Sequence, residues 1–317
     1  MRPISIILLC FLSLCFIQKT NGQSRETKKL IKEVKRNIKS HSIVKDSIDW
    51  TELNKTLKSI SYTNNHNSDK EKVYGVFIKF LKQAGDSHSL FVSKEISSGI
   101  KNSQAENIYT TSKYLGENIG YLKIPYCFTF DYQKDLTFAD TIVKQIEQLD
   151  SYEIDKWIID LRDNKGGNVW PMLSGLTPII GDGLINYSIG NSTENPNFIK
   201  QGSITNSRTS TLIYKTKRKF KKLAVLVNNY TASSGEMLAI SLLGFKETKC
   251  FGGKTSGLTT SNRTFNFNDG TILFLSTGFM ADKNKKVYRD GITPDIVFGT
   301  DLNEDEIITE IIKWFKE

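Results

Sequence analysis

Histidine is scarce in this chain: His41, His66 and His88 are the whole supply in 317 residues. Of the four cysteines, Cys10 and Cys15 fall in the first 22 residues, which leaves Cys127 and Cys250. No CxxC pair occurs and histidines are few, which argues against a structural zinc site. Two cysteines could form one disulfide in an oxidising compartment, but spacing does not say whether they meet. Beyond the first 22 residues no apolar run approaches the ~18 to 20 residues that cross a bilayer. Internal repeats and low-complexity tracts are also missing. What remains, with 38% hydrophobic and 24% charged residues, is a globular chain long enough for one large domain or one domain with a small partner.

The start of the chain is different. Arg2 precedes an apolar run from Ile4 to Ile17, and Thr20-Asn21-Gly22 then brings small residues to cleavage spacing. This pattern reads as a secretory signal peptide cleaved after Gly22, giving a secreted or periplasmic protein that begins at Gln23. Leu14, before Cys15, is larger than the small residue a lipobox carries, so a cleaved signal fits better than a lipid anchor. Loss of the segment removes Arg2 and Lys19 and no acid, taking the formal charge from +9 to 9 − 2 = +7. Much of that excess lies between Arg25 and Lys39, where Leu30, Ile31, Val34 and Ile38 alternate with lysines at helical spacing. The segment reads as an amphipathic helix with a solvated basic face and not as a nucleic-acid surface.

Three regions follow, separated by polar stretches at Ser61–Lys70 and Ser97–Ser112. The first is helical: Asp49-Trp50 opens a short helix, and Val73, Val76, Phe77, Phe80 and Leu81 mark a second that Gly85 ends. From Ile119 strands and helices alternate. Ile119–Tyr126 and Trp157–Leu161 read as strands, Thr137–Leu149 as a helix with Thr137 and Asp140 at capping-box spacing. Leu223–Val227 is a buried strand that runs into a helix over Thr231–Leu243, closed by Gly244. Beyond Lys254, Thr264–Phe267 and Thr271–Leu275 flank Asn268-Asp269-Gly270, a hairpin signal. A final helix capped by Asn303 closes an α/β arrangement.

Two loops at strand ends carry groups suited to chemistry. Thr231-Ala232-Ser233-Ser234-Gly235-Glu236 puts a serine where a strand turns into a helix, with helix amides behind it to stabilise negative charge. Serine is also a common helix cap, so this loop alone does not decide. Asp160-Leu161-Arg162-Asp163-Asn164-Lys165-Gly166-Gly167 follows another buried strand, and its paired glycines let backbone amides approach a ligand.

Together the two runs resemble the carboxy-terminal processing and tricorn serine peptidases, with a likeness that extends from about Asp49-Trp50 to Pro294-Asp295. The resemblance implies a ClpP/crotonase-like β/α core, an N-terminal helical subdomain that supplies the base, and a C-terminal antiparallel hairpin and helix. The implied division is 1–22 for the signal, 23–105 for the helical subdomain and 106–317 for the catalytic core. Ser233 corresponds to the nucleophile, with the amides of Ser234 and of Gly166 or Gly167 as oxyanion donors. Processing peptidases use a lysine base, but that position here reads Gly257-Leu258-Thr259, and leucine accepts no proton. The tricorn-like branch takes a histidine from upstream, and Gly85-Asp86-Ser87-His88-Ser89 resembles its motif, which makes His88 the base. An imidazole titrating at about 6.5 transfers protons both ways near neutrality. Asp290, just before Gly291-Ile292-Thr293-Pro294-Asp295, stands where that branch has its orienting glutamate, and Ser87 matches an active-site serine.

The expected activity is that of a serine-type endopeptidase acting on a peptide or protein substrate through an acyl-enzyme, without metal or organic cofactor. The stretch between His88 and Ile119 is too short for the PDZ domain that many relatives carry. Three other readings stay open: a Ser-Lys peptidase using Lys254, a non-catalytic ligand- or peptide-binding protein on the same fold, and an esterase or cyclase use of the same acyl-transfer site. Oligomeric state is left open by the sequence.

Overall fold

The structure is a computed structural model and describes residues 23–102, 110–205, 207, 212–299 and 302–317. The signal-like first 22 residues, and the expected boundary at 105/106, lie outside them.

Side-chain caps set the three N-terminal helices. Ser24 caps α1 (Arg25–His41), Asp49 caps α2 (Trp50–Ser59) and Asn65 caps α3 (His66–Gln83), each accepting an amide that the first turn leaves without a partner. Helix α3 therefore begins inside the polar stretch that reads as a separator. Its polar residues are capping groups: Asp69, fully buried, accepts the Thr63 amide at 2.9 Å. The apolar faces of these helices, led by Val34, Ile38, Leu53, Phe77 and Leu81, share one core with Phe267, Leu273 and Leu275 of the late hairpin. The N-terminal helices are thus packed on the far end of the chain. They are followed by β1 (Leu90–Val92) and α4 (Lys94–Asn102).

The central region runs β2 (Thr111–Tyr114), β3 (Ile119–Lys123), α5 (Tyr132–Asp150), β4 (Lys156–Asp160), α6 (Val169–Gly175) and α7 (Thr177–Ile180). It continues through β5 (Gly183–Ile189), β6 (Glu194–Lys200), β7 (Ser203–Ile204), β8 (Lys222–Val227), α8 (Ser234–Leu243) and β9 (Thr248–Gly252). The chain ends with β10 (Thr260–Asn266), β11 (Ile272–Asp282), β12 (Ile296–Val297) and α9 (Glu304–Lys316). Two expected boundaries move. Helix α5 starts before Thr137, because Asp131 accepts the amides of Gln133 and Lys134 and supplies the cap. Strand β3 stops at Lys123, as the chain turns off its ladder at Ile124-Pro125.

Two sheets result. One has the order β12-β9-β8-β4-β3-β2, parallel except for the β2/β3 pair. It is covered on both faces, which is why β8 has an unbroken apolar run. Leu223, Val225 and Val227 face a core with α5, α6 and α8, while Ala224 and Leu226 face Trp314 and Phe315 of α9. The other sheet, ordered β1-β11-β5-β6-β7 with β10 also on β11, is antiparallel throughout. Strand β11 joins β1, β10 and β5, so it ties the N-terminal region to the core. Between β10 and β11 the register slips: Ser261 faces Gly278 and Asn262 faces Ser276, leaving Thr277 without an opposite residue. Both remaining cysteines are buried and free, so no disulfide joins Cys127 to Cys250. Burial raises both thiols above their ordinary range.

Candidate active site

The loops after β3, β4 and β8 meet at the carboxyl edge of the parallel sheet, the edge where open α/β sheets bind ligands. After β8, Thr231 donates its hydroxyl to Leu161 O at 2.8 Å and Ala232 donates its amide to Asn164 O at 2.9 Å. Ser233 then takes φ 52°, ψ −117°, a conformation that costs an L-residue about 1–3 kcal/mol and is held by its surroundings. Its amide donates to Glu236 Oε2 at 3.0 Å. The sequence places a helix from Thr231; the helix begins at Ser234, because Ser233 occupies this turn instead.

The glycine loop is pressed against the same turn. Gly166 and Gly167 have φ of 103° and 99°. A Cβ on Gly166 would lie 2.9 Å from Ala232 O and from Ser233 Cβ, and one on Gly167 would lie 2.1 Å from Cys127 O. Only glycine fits either position. Asn164, fully buried, fastens the loop: its Nδ2 donates to the carbonyls of Ile124 and Pro125 at 3.1 Å each, and its Oδ1 accepts the Gly166 amide at 3.0 Å. Of the two glycine amides offered as alternative oxyanion donors, that of Gly166 is therefore already engaged. Among the described residues, those of Gly167 and Ser234 have no protein acceptor.

His88 arrives from the other side, between α3 and β1. Its Nε2 lies 2.8 Å from Ser233 Oγ and its Nδ1 lies 2.7 Å from Thr260 Oγ1. Asp86 fixes the turn that carries it, since Asp86 Oδ1 accepts the amides of His88 and Ser89 at 3.0 Å each. Burial lowers the imidazole pKa below its ordinary value, while the Asp86 charge and the Thr260 backbone pull it back up.

Asp290 does not take the expected place. It is exposed, its main chain packs beside Gly257, and no hydrogen bond or ion pair joins it to His88, whose two ring nitrogens already have other partners. Ser87 is exposed and bonds to none of these groups; its neighbour Ser89 does, donating to Asp86 Oδ2 at 2.5 Å. Lys254 is exposed, with no bond to Ser233.

Sequence reasoning passed over several residues at the site. Glu236 closes the Thr-Ala-Ser-x-x-Glu run, and that position was the only signal it gave. Fully buried, it accepts from the amides of Ser233, Gly257 and Leu258 and from the Thr255 hydroxyl. Burial raises its pKa, and those four donors oppose the rise. The loop where a lysine base would stand is thus closed onto Glu236. Thr260 and Ser276 had no signal, because nothing local marks a hydroxyl on a strand as aimed at a distant imidazole. Among the described residues no group of three or more His, Cys, Asp or Glu could hold a metal ion.

An activated-serine geometry beside two free amides on this fold is the arrangement of a serine peptidase. The model of peptidase family S41 matches residues 118–298, and the chain belongs to that family. It is 31% identical over 272 residues to the nisin-resistance protein of Lactococcus lactis subsp. lactis, covering 84% of this chain and 82% of the relative. The carboxyl-terminal-processing protease of Synechocystis is 25% identical over 183 residues, 57% of this chain; the match spans 38% of that longer protein. Among solved structures, a lipoprotein from Streptococcus agalactiae superposes with a TM-score of 0.73 over 99% of both chains at 23% identity, which shows a shared fold.

Proposed function

We propose that the chain is an exported endopeptidase that cleaves peptide bonds through an acyl-enzyme, with Ser233 as nucleophile and His88 as general base. The 2.8 Å contact between Ser233 Oγ and His88 Nε2 carries the reading. In the first step Nε2 takes the hydroxyl proton as Oγ attacks the scissile carbonyl, and the amides of Gly167 and Ser234 receive the oxyanion. The imidazolium returns that proton to the leaving amine, and a water repeats the sequence to release the acid product. Each oxyanion donor contributes about 3–4 kcal/mol to the barrier reduction. His88, pushed down by burial, stays neutral and competent to lower pH than a solvated imidazole. The export reading rests on the N-terminal segment, and no helix among the described residues is long and apolar enough to cross a membrane.

The likeness to a nisin-resistance protein makes nisin the first peptide to offer, beside unmodified peptides of similar length. A fluorophosphonate probe should label the wild-type protein at Ser233 and should label neither Ser233→Ala nor His88→Ala. Labelling of Ser233→Ala to the wild-type level sinks the assignment, and a wild-type protein that binds peptide without cutting or labelling supports the non-catalytic reading. Amino-terminal sequencing of protein recovered from outside the cell should begin at Gln23.

A further inference from the structure

In the reaction above the imidazole becomes positively charged, and a base that does so in a buried site needs an anion behind it. Asp290 does not supply one. Behind Nδ1 lies a chain of hydroxyls instead. Nε2 must be bare to take the Ser233 proton, so Nδ1 carries the ring hydrogen and donates it to Thr260 Oγ1 at 2.7 Å. Thr260 Oγ1 lies 3.0 Å from Ser276 Oγ, and Ser276 Oγ lies 2.9 Å from Asp86 Oδ1. Given a donating Nδ1, each hydroxyl has one hydrogen to pass along, and the direction leads to the carboxylate: Nδ1–H to Thr260, Thr260 O–H to Ser276, Ser276 O–H to Asp86.

The far end is built as an anion site. Asp86 and Ser276 are buried, and Asp86 also accepts two backbone amides and the Ser89 hydroxyl. Ser89 Oγ in turn accepts the Ser276 amide at 2.9 Å, which locks the strand carrying Ser276 to the turn carrying His88. Asn262 stands beside the chain, with Oδ1 at 3.1 Å from Ser276 Oγ. The register slip opposite Thr277 puts Thr260 and Ser276 within reach of each other although they are not cross-strand partners.

We infer that Asp86 is the orienting acid of this peptidase, acting on His88 at one remove through the Thr260 and Ser276 hydroxyls. The inference rests on the Ser233–His88 reading. All three are positioning residues: they hold the tautomer and polarise the ring, and no proton travels along the chain, since each hydroxyl keeps its own hydrogen while Nε2 gains and loses the Ser233 proton. Charged groups on the surrounding elements include Asp86 on the same turn, Lys82 on α3, Glu236 on α8, Arg263 on β10 and Asp282 on β11, with Lys254 and Asp290 on exposed loops. Asp86 is the one whose charge raises the affinity of His88 for its proton.

The test is the pH profile of kcat/KM on a peptide the wild type cleaves, for Asp86→Asn, Ser276→Ala, Thr260→Val and Thr260→Ser, with thermal melts to establish folding. Thr260→Val should lower kcat about 10- to 100-fold with KM nearly unchanged, and Thr260→Ser should restore most of it. Asp86→Asn and Ser276→Ala should lower the plateau and move the acid limb to lower pH, because the imidazolium loses its anion. A merely structural role would lower activity and leave that limb in place. Full activity in Thr260→Val, or an unmoved limb in folded Asp86→Asn or Ser276→Ala, overturns the inference. Should Asp86→Asn not fold, Ser276→Ala decides alone, for it deletes one hydroxyl and no backbone contact of the His88 turn. Ser233→Ala distinguishes the two levels: if it keeps activity, the underlying assignment fails, whatever the relay variants do.

Discussion

The two sides of the candidate active site are made by different means. On the parallel-sheet side the groups are set by main-chain conformation: positive φ at Ser233, Gly166 and Gly167, free amides at Gly167 and Ser234, and clearances at both glycines that exclude a Cβ. On the antiparallel side, His88 is set by side chains, a chain of hydroxyls ending at Asp86. The first kind of site should be intolerant of the smallest substitution. The second should accept any residue that restores the hydrogen bond.

The largest effect expected from this contrast is at the serine itself. Ser233→Ala should reduce kcat by about 10⁴-fold or more without weakening peptide binding, measured by single-turnover cleavage and by titration with an uncleaved peptide. Next comes Gly167→Ala, a change of one methyl group. Its Cβ would meet Cys127 O, so kcat/KM should fall about 10²- to 10³-fold with a lowered melting temperature. Gly167→Ala at wild-type rate would break the comparison, because the loop would then be shown to yield.

A third test asks what lies behind the glycine loop. Asp135, in the first turn of α5, is buried and accepts Asn168 Nδ2 at 2.9 Å. Burial pushes its pKa from 3.8 up to about 6. The folded state therefore holds this proton to higher pH than the unfolded chain does, so this group's contribution to stability falls as pH rises from about 4 to about 6 and is level above that. Asp135→Asn, which keeps an acceptor for Asn168, should raise stability at pH 7 by about 1–3 kcal/mol and flatten the pH dependence across that window, read by denaturant melts. The smallest effect is expected from Lys254→Ala, about twofold or less in kcat/KM, as for an exposed side chain outside the site. A loss approaching that of His88→Ala would restore the Ser-Lys reading.

The same contrast explains what could be read from the sequence. Main-chain sites leave local signatures: the two glycines, the Thr-Ala-Ser run and the apolar strands before them were all visible, and they pointed to the fold and to the Ser233 loop together. Helices α1, α2 and α9 were visible too, through periodicity and caps. Helix α3 was cut short by a polar stretch whose members turn out to be capping groups, and the β5–β6 pairing, with little alternation to mark it, was not seen. Side-chain sites assembled from distant strands leave no such mark. Asp290 was the expected orienting acid because a motif pointed to it, whereas Thr260 and Ser276 meet His88 only through the pairing of β10 with β11 and the slip in their register. Asp86 stood in the quoted Gly-Asp-Ser-His-Ser run all along, but its neighbours there are two residues away in sequence and its functional partners nearly two hundred.

His88 and Ser233 lie 145 residues apart in the chain, and the strand that holds the histidine in place, β11, follows both. A growing polypeptide therefore carries a harmless serine until its last third has been made and docked, since contacts of such long range form late. In a chain built this way the order of assembly itself delays the meeting of the two side chains, because the strand that holds the imidazole is the last of the three parts to be made.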